Sequence, residues 1–308
     1  TQMYGKTDTS EFSHIEGHED HSVNLLFTYD DDQNLTGMIV NVPCPSQCTE
    51  NELFISADYW HETRDLLRAR LGEKIFILPQ CSAAGDLSPR ELVDRDADVR
   101  MLKLRGYGSD YGFALRQHIA VKISEAVEEV FPLVEAEIYY DVVFTHRCIT
   151  VDLPARAARE SDFETAKSEI LSWKAKLDEM KDSDPLSPKY SAAFRRIGFN
   201  QRVVDIYHAQ KDGIGTIPTQ LHVLRIGDIA MATNRFEYYL DFGERIKAGS
   251  PALQTFVVQL AGGGSYLPTE KSMNGGSYGA IIASAPVGPE GGQMIVEKSL
   301  EMIREVFS

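Results

Sequence analysis

The sequence predicts an α/β fold: a mixed β-sheet core flanked by helices. Period-2 apolar runs alternate along the chain with runs of helical period. Some consecutive strands are separated by turns too short for a crossover helix, so the sheet cannot be purely parallel. Four strand candidates also run out into loops rich in glycine, proline and small polar residues. At 308 residues with 43% apolar content the chain can bury a full core. It reads as one domain over 1–308, with a helical insertion at about 160–210.

Val23, Leu25 and Phe27 alternate toward one face over 22–29, and Asp30 to Asn34 turn the chain into a second strand over 36–42, a β-hairpin. Tyr59, Leu66, Leu67 and Leu71 mark a helix over 56–71, ended by Gly72 where a left-handed cap is wanted. The apolar run 74–78 then completes a β-α-β unit. Leu115, Ile119, Ile123, Val127 and Val130 mark another helix, and the alternating run 135–144 reads as the strand that returns from it. Ser161-Asp162-Phe163-Glu164 has the form of a capping box opening a charged helix to about Lys181. Asp182-Ser183-Asp184-Pro185 breaks that helix, and a second follows over 190–209; the pair is expected to pack outside the sheet. Strands at 216–226 and 228–232 flank a turn at Gly227, and 253–260 is a further strand. Val296, Leu300, Ile303 and Phe307 form the stripe of a closing helix.

A net charge of -15, with no lysine or arginine cluster interleaved with aromatics, excludes nucleic acid as a partner. No run of eighteen apolar residues is present, so no membrane-spanning helix is expected. Four dispersed cysteines and no C-x-x-C motif exclude a disulfide scaffold or a structural zinc knuckle. No signal peptide is visible. The chain starts at Thr1 in a polar stretch, which reads as a chain lacking an upstream segment.

The richest candidate for a site is the glycine- and tyrosine-bearing loop 262–278, read as neither helix nor strand. Three further loops leave strands in the same sense: Pro43 to Gln47, Cys81 to Pro89, and Asn234 to Glu237. In open α/β sheets ligands bind beyond the carboxyl ends of strands, so four such exits describe one composite site. Ser88 sits on a tight turn in Gly85-Asp86-Leu87-Ser88-Pro89, although Asp-x-Ser-Pro is equally an ordinary helix start. Glu237 opens an expected helical run with Tyr238, Tyr239 and Phe242, as a metal ligand or as a first-turn acid. His14, His18 and His21, with Glu16, Glu19 and Asp20, form a second potential metal group. The other histidines read as structural. Cys44 and Cys48 are spaced to meet on one side of a turn.

Taken in order, Cys44-Pro45-Ser46, Ile55-Ser56-Ala57-Asp58-Tyr59, Ala84 to Pro89, Phe236-Glu237, and Tyr266-Leu267-Pro268-Thr269 with Tyr278 resemble the catalytic domain of the neutral/alkaline, non-lysosomal ceramidases. The resemblance runs from about Asp20 to Gly292, nearer to a bacterial ceramidase-like branch. It implies a Zn²⁺-assisted hydrolase of an amide (N-acyl) linkage, secreted or periplasmic, acting on a lipid, glycan or other small molecule. By position, Glu237 and Tyr266 match two of the family's four zinc ligands. Cys44 stands where the family has a ligand histidine, and a thiolate is a chemically acceptable zinc donor. The family's other histidine precedes the matched region, so an upstream segment or a second copy of the chain would complete the set. Ser88 matches the family's catalytic serine with Asp86 beside it, and Tyr278 a tyrosine that contacts the scissile amide. Gly85, Gly264 and Ser265 are expected to line the substrate. The other reading that the cysteine substitution leaves open is a non-catalytic member that binds a small polar or glycan ligand.

Overall fold

The computed structural model describes residues 2, 4–181 and 183–308. Strand β1 (Asn24–Tyr29) pairs antiparallel with β2 (Leu35–Val42), and β2 pairs parallel with β3 (Phe76–Cys81) across helix α1 (Tyr59–Leu71). The predicted hairpin and β-α-β unit are therefore present, and Gly72 ends α1 at a φ of 137°. Helix α2 (Arg95–Leu104) was not visible in the sequence pattern: Leu102 is its one buried residue, so it carries no apolar stripe. Helix α3 (Tyr111–Val134) and α1 cover one face of this sheet, burying Leu67, Leu115, Ile123 and Val127 against Met38, Val40 and Ile77.

The second sheet runs β4 (Phe144–Pro154), β5 (Thr216–Ile226), β6 (Ile229–Thr233) and β8 (Gln254–Val258), with only β6 and β8 parallel. The alternating run 135–144 is not the strand it resembles. Strand β5 ends at the Gly227 turn, so residues before Phe144, which pairs with Ile226, would have no ladder partner. Asp141 takes a φ of 55°, and Tyr139 and Tyr140 stay exposed. Apolar alternation reports a strand only where a neighbour exists to receive it.

Helices α4 (Glu160–Glu179) and α5 (Pro188–Ala209) fill the region between β4 and β5. The capping box lies two residues earlier than the sequence predicts: the Asp162 carboxylate accepts from the Arg159 N–H at 2.9 Å, and Arg159 is the cap. The break between the helices includes Asp182, which lies outside the described residues. Ala166 and Val203 of the pair bury against Ala158, Ile282 and Ala283, so these helices pack beside the loop that follows Tyr278. Helix α6 (Leu240–Gly249) and the closing helix α8 (Pro289–Phe307) cover the second sheet. Ile295, Val296, Met302 and Ile303 lock onto Val151, Leu153, Leu221 and Val223. Among the described residues no helix is long and apolar enough to cross a membrane.

The two sheets meet at the carboxyl ends of β3 and β8. The Gln259 N–H donates to the Cys81 carbonyl at 3.1 Å, and the buried Asn41 amide donates to the Val257 carbonyl at 2.9 Å. Parallel pairing of β2 with β3 and of β6 with β8 therefore brings four strand exits to one edge, as the sequence predicts.

Candidate functional site

Glu237 is not the start of a helix. It lies with Tyr238 in a two-residue strand, β7 (Glu237–Tyr238), that pairs parallel with β9 (Tyr266–Leu267), and α6 begins only at Leu240. The loop read as irregular thus contains a short strand, a six-residue helix α7 (Glu270–Gly275) and a 3₁₀ turn at Tyr278–Ala280. Pairing places Glu237 directly beside Tyr266, and the Tyr266 hydroxyl donates to the Glu237 carboxylate. Burial raises the Glu237 pKa above the ordinary carboxyl value, against the pull of that hydrogen bond. Burial and the neighbouring carboxylate push the Tyr266 phenol well up. Tyr278 meets the Tyr266 ring edge-on, with centroids 5.9 Å apart, and is stacked on its other side by Phe199 of α5 at 5.8 Å. Tyr278 is 44% exposed, which leaves it open to a ligand.

Backbone approach fixes this pair. A Cβ on Gly264 would lie 2.8 Å from the Arg235 carbonyl carbon and 3.1 Å from the Phe236 Cα. The Ser265 carbonyl accepts the Glu237 N–H at 3.0 Å. Gly264 and Ser265 therefore build the β7–β9 ribbon from the main chain. Gly85 does the same from the other loop, its N–H donating to the Tyr238 carbonyl at 2.9 Å.

Ser88 accepts the Arg90 N–H at 3.2 Å and shares a hydrogen bond with Tyr4. Tyr4 also lies near enough to Tyr266 to raise the pKa of its phenol. It joins the Ser88 loop to the Tyr266 side of the site, which no sequence signal indicated. Gln259 was equally unforeseen. Its side-chain oxygen accepts from both the Ala84 and Tyr238 N–H groups, at 3.1 and 2.9 Å, and its amide donates to the Cys81 sulfur at 3.3 Å.

Asp86 faces elsewhere. Its carboxylate accepts the Leu240 N–H at 2.8 Å, holding the first turn of α6, and borders a recess of about 790 Å³ also lined by Glu16, His18, Asp241 and Arg245. Glu237, Tyr266 and Tyr278 do not line that recess. Solvent reaches Asp86, yet the protein packed around it raises its pKa to about 6, with the Leu240 N–H and His18 opposing. An acid whose folded pKa exceeds its unfolded one loses its stability contribution as pH rises between the two. The wild type should therefore lose stability relative to Asp86→Asn from about pH 4, the unfolded value, to about pH 6. Urea midpoints for both proteins at pH 4 and pH 7 check this, and a constant difference between them refutes it.

Cys44 lies in the apolar contact between α1 and the first sheet. Its carbonyl receives the Tyr59 hydroxyl at 2.6 Å, and burial pushes its thiol up to about 12. The supporting loop is held by Asp58, whose carboxylate accepts from the Cys48, Thr49 and Tyr59 N–H groups at 3.2, 3.0 and 2.9 Å. The N-terminal histidines separate: His18 pairs with Glu244 at 2.6 Å, His14 with Ser13, and His21 with Glu19.

With this geometry in view, comparison with solved structures decides the fold. It is ceramidase-like. The chain aligns with neutral ceramidase from Pseudomonas aeruginosa over 93% of its length and 47% of that protein, at a TM-score of 0.59 and 16% identity. A ceramidase complexed with C2 aligns over 96% of this chain and 50% of its own, at 0.59 and 15% identity. The chain thus spans about half the length of these ceramidases. No family model matches it, and no curated protein does.

A zinc ion of the kind the ceramidase resemblance implies needs about four donors on one point, or three with an open position. Among the described residues no three His, Cys, Asp or Glu side chains stand so. Glu237 and Tyr266 supply two adjacent oxygens, but Cys44 is a packed, protonated thiol that points to the Pro45 carbonyl at 3.9 Å, with Tyr59 and Cys81 beside it. Among the described residues no zinc centre of the kind that the resemblance implies is formed.

Proposed function

We propose that the chain is a ceramidase-like protein acting on an N-acyl compound, with the amide received at Glu237, Tyr266 and Tyr278. The observation that carries this reading is the parallel β7–β9 pairing, which joins a half-buried acid to a phenol at the strand-exit edge beneath a partly open tyrosine ring. A carboxyl and a phenol there offer one acceptor and one donor, which is what an amide's N–H and C=O require. Ser88 and Tyr4 extend the polar wall, and Phe199 with the Tyr278 ring gives an apolar flank for the acyl chain. Hydrolysis of the amide is the activity that the ceramidase-like fold supports. Zinc, if held, would draw on Glu237 and Tyr266 and would need donors beyond the side chains described.

That shortfall, and the burial of Cys44, favour a second reading in which the site binds an N-acylated lipid or glycan without turnover. Metal analysis of purified protein, beside a Glu237→Ala/Tyr266→Phe double variant, separates the two. Near one zinc per chain, lost in the variant together with release of fatty acid from an N-acyl substrate, establishes the hydrolase. No zinc with retained calorimetric binding of the same compound establishes the binder. Neither zinc nor binding refutes both.

A further inference from the structure

The face of the β4–β5 ribbon turned away from α8 carries a cluster that the strand-exit site does not use. Alternation puts Ile149, Val151 and Leu153 against α8, so His146 and Cys148 point the other way. In the antiparallel register Cys148 stands directly opposite His222. The Cys148 sulfur lies 3.8 Å from His222 Nε2, and His222 Nδ1 lies 3.0 Å from His146 Nε2. The planes of the two imidazoles are parallel within 2°, with centroids 5.2 Å apart. Thiol, imidazole and imidazole form one line, with His222 in the middle.

That order has a chemical consequence. With its Nδ1–H donated to His146, a neutral His222 presents its Nε2 lone pair to the thiol, and an imidazole so placed is a base for a cysteine. The third group fixes the tautomer of the second, as in any nucleophile–base–orienter arrangement. The remaining thiols offer a contrast within the same molecule. Cys48 is buried, and burial pushes Cys44 and Cys81 up to about 12 and Cys48 further still; Cys148 is the one exposed thiol of the four.

We propose that Cys148 is a reactive thiol that forms mixed disulfides with low-molecular-weight disulfides, with His222 as its base and His146 as the residue that positions His222. In the exchange, His222 Nε2 takes the Sγ proton and the thiolate attacks one sulfur of R–S–S–R. The Cys148 S–S–R bond forms as the R–S–S–R bond breaks. The departing RS⁻ takes the proton back from His222 and leaves as RSH, so Cys148 is oxidised as the small disulfide is reduced. The open sheet face suits a small soluble reactant, since both His146 and Cys148 are exposed.

The test uses oxidised glutathione on the native protein at neutral pH, followed by intact mass and peptide mapping. The expected result is one glutathione per chain on Cys148, with the other three thiols labelled only after unfolding. Exchange should slow about tenfold in His222→Ala, because the base that takes the Sγ proton and returns it to the leaving thiolate is lost. His146→Ala should slow it less, and His146→Gln, which keeps an acceptor for the His222 N–H, should restore the rate. His146 and Cys148 are exposed and His222 is partly so, and a far-ultraviolet spectrum with an unchanged unfolding midpoint checks that each variant is folded. First labelling at a buried cysteine, or equal Cys148 rates in wild type and His222→Ala, would overturn the proposal.

Discussion

Gly85→Ala is expected to destabilise the fold by about 3 kcal/mol or more, in the range of overpacking against backbone that cannot yield. A Cβ at this position would lie 2.6 Å from the Glu237 carbonyl carbon and 3.0 Å from that of Tyr238. Neither atom is the end of a flexible side chain. The neighbouring main chain is fixed as well, because the Gln259 side-chain oxygen ties the Ala84 and Tyr238 N–H groups together. Relief would require the β3 exit and β7 to part, breaking the hydrogen bond from Gly85 to Tyr238 and shifting Glu237 from Tyr266. Gly198 is the counterpart: it lies inside α5, with open space where a Cβ would go. Gly198→Ala should stabilise by about 0.5–1 kcal/mol through the smaller entropy loss of alanine in a helix. Urea unfolding of both variants, read at constant m-value, makes the comparison. Equal midpoints would show that the β3 exit and β7 do not approach as closely as described.

The elements with a packed stripe of their own were legible in the sequence. In α1, α3 and α8 the buried positions repeat at helical spacing, and the β1–β2 hairpin and β5–β6 pair each carry alternation together with a turn. The failures share a cause. The run 135–144 has the residues of a strand but no partner, while α2 is a helix with one buried side chain. Glu237 looks like a helix start because Tyr238, Tyr239 and Phe242 follow it, yet their burial comes from contacts with distant elements. The two-residue β7–β9 pairing joins positions 29 apart in sequence and is too short for any periodicity to register. The same holds for the site. Gly85, Gly264 and Ser265 stand out in the sequence only as loop residues, and their main-chain contacts with the segment 235–238 carry no sequence pattern. Tyr4 and Gln259 reach the site through tertiary contacts alone.

Tyr266→Phe should show what the buried acid–phenol pair contributes, and the result should depend on pH in a defined direction. Glu237 has a raised pKa, so its folded form holds its proton to higher pH than the unfolded chain. Its stability contribution therefore falls as pH rises from the unfolded value of about 4.3 through the raised folded value. The Tyr266 hydroxyl limits that loss by donating to the carboxylate. Without it a half-buried carboxylate lacks its partner, which costs about 1–3 kcal/mol. The deficit should be large at pH 8, where Glu237 is ionised, and small near pH 4, where the acid is neutral. Glu237→Gln removes the charge, so in that background Tyr266→Phe should cost the same at both pH values. The coupling between the two substitutions, obtained from urea unfolding of all four proteins, should then appear at pH 8 and fade at pH 4. A coupling that is absent at pH 8 would mean that the hydroxyl does not serve the carboxylate, and the proposed amide site would lose its donor–acceptor pair.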